Sequence, residues 1–119
     1  MQYMLLIYGD ERAGESAPRE QMNEIINAYM AYGQALSDAK VAVASNRLRP
    51  TSAAATVRVA DGRTQVLDGP FAETKEQLGG YYLIDYLIDV PDLDAALSWA
   101  SRCPGASHGT VEVRPIWTM

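Results

Sequence analysis

The chain has 119 residues, 48% of them hydrophobic, with ten basic and fifteen acidic side chains for a formal charge of −5. That suits one compact domain, and the scattered basic residues lack the Lys and Arg clusters that hold nucleic acid. A single cysteine, Cys103, and a single histidine, His108, leave no disulfide and no Cys/His cage, so neither a metal nor a cofactor is expected.

Tyr3 to Tyr8 is a continuous apolar run closed by Gly9-Asp10, the pattern of a buried strand. It is too short to cross a bilayer and lacks the basic flank and cleavage site of a signal peptide, so a cytoplasmic chain without membrane contact is expected. Residues 9–17 read as a polar loop. Ser16 with Pro18 just after it suits a helix start. Met22, Ile25, Ile26, Tyr29, Met30 and Leu36 then mark one face of a long amphipathic helix ending near Ala39.

Val41 to Ser45 reads as a second strand and 46–52 as a loop. Thr56–Val59 and Thr64–Leu67 flank Asp61-Gly62, a pair suited to the positive φ angles of a type I′ turn, so a hairpin is predicted. The segment DGPFAETKEQLGGYY, residues 68–82, follows, with one helical turn expected over Glu73–Gln77. Gly80 to Val90 is strand-like. Asp92 suits the cap of a second helix whose stripe is Leu93, Ala96, Leu97 and Ala100, closed by Pro104-Gly105. Val111 to Arg114 alternates as a last strand.

This order predicts an α+β fold, βαββαβ with an inserted hairpin, in which two helices cover one face of an antiparallel sheet. The opposite face then needs a cover, and a homodimer is the economical one. The stretch YLIDYLID, residues 82–89, is a tandem repeat of four. An even insertion keeps every strand side chain on its own face, so Tyr86 to Asp89 are expected to extend the strand, the alternative being a looped-out bulge.

YMLLIYGDE at the start, DGPFAETKEQLGGYYLID in the middle and VPDLDAALSWASRCP with GTVEVRP at the end resemble the DGPF-domain family within the YciI-like (YCII-related) proteins. The resemblance covers almost the whole chain, as one domain over residues 1–119. It implies a ferredoxin-like fold assembled as a dimeric α/β barrel, and no established reaction. Some relatives are similar in gene context to partners of extracytoplasmic-function sigma factors, which implies a functional link to a sigma factor. Two departures stand out. The wider group carries a histidine near the start of the first helix and an aspartate near its end; residues 16–30 hold no histidine here, although Asp38 is present. The duplicated YLID is the other.

Gly69 and Pro70 are turn chemistry, Asp68 can close the turn, and Phe71, the chain's only Phe, is expected to plug the core. Glu73, Lys75 and Glu76 are not needed by a turn. The three read as a solvated short helix with local ion pairs; the other reading is that Asp68, Glu73 and Lys75 rim a ligand cleft. His108 in GASHGT can serve as acid or base, or be a plain surface residue. Cys103 reads as a small packed residue. Glu112 and Arg114 share the face opposite Val111 and Val113, where Arg114 is free to bind a carboxylate or to pair with Glu112. The candidate ligand-binding residues are therefore Asp68, Glu73, Lys75, His108 and Arg114.

Three readings stay open: a module that binds a small organic ligand or a regulatory partner, a cofactor-free lyase or isomerase acting on an aromatic or lactone-like substrate, and a purely structural dimer. The missing first-helix histidine favours the first.

Overall fold

The computed structural model describes residues 1–85 and 93–117. In chain order they form β1 (Gln2–Gly9), α1 (Glu11–Glu15), α2 (Arg19–Asp38) and β2 (Ala42–Arg47), then a 3₁₀ turn at Thr51–Ala53. The hairpin strands β3 (Ala55–Ala60) and β4 (Arg63–Asp68) precede β5 (Gln77–Asp85), α3 (Leu93–Arg102), α4 (Gly105–His108) and β6 (Thr110–Pro115). Four strands make one antiparallel sheet in the order β2-β5-β1-β6, and β3-β4 stand apart as a second sheet. With the hairpin set aside, this is an α+β architecture compatible with a ferredoxin-like fold.

Strand alternation decides which side of the sheet becomes core. Tyr3, Leu5 and Ile84 turn inward and are buried against Tyr32 and Leu36 of α2, Ala96 and Ala100 of α3, and Cys103. Leu5 faces Tyr82 on one neighbour and Val113 on the other, both packed against that core. The two long helices are tied together by the Tyr32 hydroxyl, which donates to the Trp99 carbonyl at 2.6 Å. Its ring meets Tyr82 edge-on at 5.2 Å.

The end of α2 near Ala39 follows from one residue. Lys40 turns into the left-handed region at φ 61°, and the Val41 amide returns to the Leu36 carbonyl at 3.1 Å. That closure satisfies a helix-end carbonyl and seats Val41 in the core. The predicted hairpin turn is equally direct: Asp61 and Gly62 have φ of 52° and 75°, as a type I′ turn requires.

Four local expectations change. Residues 9–17 are not all loop, because Asp10 accepts from the Arg12 amide at 3.0 Å and starts α1. No helix forms at Glu73–Gln77; Gln77 instead opens β5, paired with Gly9. Residues 105–108 coil into α4. Phe71 does not plug the core: it is 78% exposed, with the Arg58 guanidinium 5.8 Å from its ring centre, because the hairpin it follows stands off the main sheet. The first YLID unit ends β5. The second, with the expected strand extension and the Asp92 cap, lies outside the described residues.

Candidate functional site

The apolar stripe of α2 recurs at Met22, Ile25, Tyr29, Tyr32 and Leu36, a spacing of three and four that keeps them on one face. Only Tyr32 and Leu36 are buried. Met22, Ile25 and Tyr29 stay half-exposed because α1, α2 and the strands β1, β5 and β2 enclose a cleft of about 690 Å³. Its apolar wall comes from Ile7, Met22, Ile25, Ile26, Tyr29 and Met30, joined by Tyr82 from the sheet. Asp10, Glu11, Gln77 and Arg47 bring charge and hydrogen-bonding capacity to the lining.

Register explains how Arg47 comes to line the cleft. It pairs with Gly80, while Ser45 pairs with Tyr82, so both share the helix-covered face of the sheet. Gly80 permits that pairing: a Cβ there would stand 2.8 Å from the Asn46 carbonyl oxygen. The rim is fixed by Glu11. Its carboxylate accepts from the Thr51 amide and hydroxyl, both at 2.8 Å, and its own amide donates to Gln77 Oε1 at 3.0 Å. One side chain thus ties α1 to the connection between β2 and β3, and its backbone ties α1 to the start of β5.

Tyr29 lies deepest in chemical terms. Burial, and then the neighbouring Cys103 thiol, push its phenol up to about 12, so it stays a neutral hydrogen-bond donor at ordinary pH. Burial likewise raises the Tyr82 phenol and the Cys103 thiol. The Tyr29 hydroxyl and the Cys103 sulfur both lie over Gly105, where an added Cβ would stand 2.7 Å from the hydroxyl and 3.9 Å from the sulfur. Cys103 is packed, as its sequence context suggests.

Gly33 also lines the cleft. It sits in the interior of α2, where glycine costs helix stability, yet a Cβ added there would meet nothing within 4 Å. No contact within the described residues requires the glycine.

None of Asp68, Glu73, Lys75, His108 and Arg114 lines this cleft. Asp68 ends β4, Glu73 and Lys75 are exposed in the following loop, and His108 is exposed as the last residue of α4. The turn after Asp68 is held by Gly69, whose amide donates to the Ala54 carbonyl at 2.7 Å and whose carbonyl accepts from the Thr56 hydroxyl at 2.7 Å. Glu76 accepts from the Thr110 hydroxyl at 2.7 Å, docking the loop's end onto β6. Arg114 pairs with Glu112, which also accepts from the Tyr8 hydroxyl at 3.4 Å, on the sheet face that carries no helix. Asp38 accepts from Gln34 Nε2 at 2.8 Å on the exposed side of α2.

Sequence reasoning passed over Arg47 as part of a solvated loop and did not single out Glu11 or Gly33. The glycine interrupting an apolar helix stripe was the available signal.

Among the described residues, no helix is long and apolar enough to cross a membrane. The family model for the YCII-related domain matches residues 1–119. The chain is also 42% identical over 118 residues to an uncharacterised protein, R00369, of Rhizobium meliloti (strain 1021), covering 98% of this chain and 92% of that one.

Proposed function

The chain belongs to the YCII-related family, and on that premise we propose that its cleft binds a small organic molecule, with the chain working as a homodimer. The observation that carries the reading is the cleft itself. At about 690 Å³ it falls in the range of roughly 300–1,000 Å³ usual for small-molecule sites, and its lining has the usual composition of apolar walls with a few polar groups. Arg47 gives it one cation against which an anionic substituent can settle, while the carboxylates of Glu11 and Asp10 are already engaged, by Thr51 and by the Arg12 amide. The ligand best suited is a compact, largely apolar organic anion.

Binding is favoured over turnover by the titration of the floor. Tyr29 and Tyr82, which line the cleft, are both moved further from neutrality, whereas a general acid or base works best near the operating pH. Homodimerisation is supported by the sheet face that carries no helix. Met4, Leu6, Tyr81 and Leu83 lie there half-exposed, beside Glu112 and Arg114. Two such faces packed together would form the dimeric α/β barrel.

The test uses 8-anilinonaphthalene-1-sulfonate, an apolar anion whose fluorescence reports its transfer from water. Wild-type chain should show a saturable site, and Gly33→Phe, which places a ring in the cleft from a position with no neighbour within 4 Å, should lose that site while staying folded. Equal saturable binding by a folded Gly33→Phe chain would refute the assignment.

A further inference from the structure

Register puts Arg47, Gly80 and Ile7 in one row across β2, β5 and β1, on the face that the helices cover. The row has a side chain at each end and none in the middle, where Gly80 is buried in the cleft lining. Strand spacing sets its two ends about 10 Å apart. At the Ile7 end stands the tip of Tyr29, because a Cβ on Gly105 would be 2.7 Å from both Ile7 Cγ2 and the Tyr29 hydroxyl. At the other end is Arg47. Burial raises the Tyr29 phenol and the Cys103 thiol adds to it, while the Arg47 charge pulls the other way across the gap.

We propose that this gap is a carboxylate seat, in which Arg47 and the Tyr29 hydroxyl both donate to the carboxylate of a ligand whose apolar body lies along Met22, Ile25, Ile26 and Met30. The proposal rests on the cleft reading above and narrows its ligand to monocarboxylates.

Charge sets the first limit. The lining holds Arg47 against Asp10 and Glu11, so a dianion such as a phosphate monoester meets one cation and two carboxylates and is repelled on balance. Donor geometry sets the second. Among the described residues no carboxylate is paired with Arg47, which leaves its planar fork open to the group it matches with two parallel hydrogen bonds. Tyr29 adds a donor that keeps its proton until pH nears about 12. Hydrogen bonds of this kind, to an ionised acceptor, are about twice as strong as those to a neutral one. A carboxylate therefore gains more from the pair than an amide or an alcohol of the same shape.

The experiment loads the cleft with N-phenyl-1-naphthylamine, a neutral fluorescent probe, at pH 8. The probe is displaced by 3-phenylpropanoate, by 3-phenylpropanamide and by 2-phenylethyl phosphate, which is dianionic at that pH. The readout is the ratio of displacement constants within each protein, which does not depend on how much of a variant is folded. Wild type should favour the acid over the amide about tenfold or more, and the phosphate should do no better than the amide. Arg47→Met should erase the preference for the acid. Tyr29→Phe should lower it about threefold, since the carboxylate loses the stronger hydrogen bond. A wild-type chain with no saturable probe site overturns the seat and the cleft reading together. A saturable site without preference for the acid overturns the seat alone and leaves a cleft for neutral molecules. An undiminished preference in either variant, or a phosphate that outcompetes the acid, likewise overturns the seat.

Discussion

Replacing Gly33 by alanine is the sharpest probe of the cleft, because the structure gives the sign of the effect. Gly33 is an interior residue of α2 with ordinary helical geometry and nothing within 4 Å of the position a Cβ would take. An added methyl therefore meets no clash, and the change acts through helix propensity and the entropy of the unfolded chain. Glycine in a helix interior costs about 0.5–1 kcal/mol relative to alanine. Gly33→Ala should be more stable than wild type by about that amount, a rise in Tm of roughly 2–6 °C for a chain of this size.

The assay is chemical denaturation followed by far-UV circular dichroism, at several protein concentrations so that dimer dissociation is separated from unfolding. An unchanged denaturant slope shows that only stability moved. Destabilisation by about 1 kcal/mol or more would refute the reasoning, because it would mean that another surface already occupies the space above Gly33.

Two further outcomes follow from the rim and the floor. Glu11→Ala removes the acceptor of the Thr51 amide and hydroxyl. These partly exposed hydrogen bonds to a carboxylate sum to about 1–3 kcal/mol, and the loss should appear as faster exchange of the Thr51 amide, with exchange in the core strands β1 and β5 little changed. The Tyr29 phenol is raised from 10.0 to about 12, so above pH 10 the unfolded chain loses this proton before the folded one does. Its stabilisation is therefore complete below pH 10 and is lost as pH rises towards 12. Tyr29→Phe should flatten that alkaline fall when stability is titrated by urea between pH 9 and 12, and a fall of unaltered steepness would place the proton loss elsewhere.

The sheet was legible because its signals are local. The run Tyr3–Tyr8 became β1, Asp61-Gly62 became the type I′ turn, and simple alternation put Glu112 and Arg114 together on the face away from the helices. The short helix α1 was not legible, since five residues carry no period and its anchor, Glu11, reaches forty residues along the chain to Thr51. Phe71 misled for a related reason. A lone aromatic normally signals a core, but the hairpin before it pairs only with itself and carries the ring out to solvent. The DGPF segment drew attention through its unusual residue types, and those types are used to build a turn, with Gly69 at φ 110°. The cleft, by contrast, is assembled from residues whose proximity exists only once β2 has paired with β5.

The division of labour along α2 ties stability to the proposed function. Its C-terminal half, with Tyr32 and Leu36 buried and Val41 just beyond, holds the two long helices to the sheet. Its N-terminal half carries the same three-and-four spacing of apolar residues but leaves Ile26 and Met30 at 43% and 69% exposure, over a cleft rather than a core. An amphipathic helix retains such a stripe at a cost in solubility unless something covers it. The two halves meet at Tyr29, which touches both Cys103 in the core and the open space of the cleft. Substitutions at the buried Tyr32 and Leu36 should therefore act first on folding, and those at Met22, Ile25, Ile26, Met30 and Gly33 first on binding. Tyr29 is the residue at which the two effects cannot be separated.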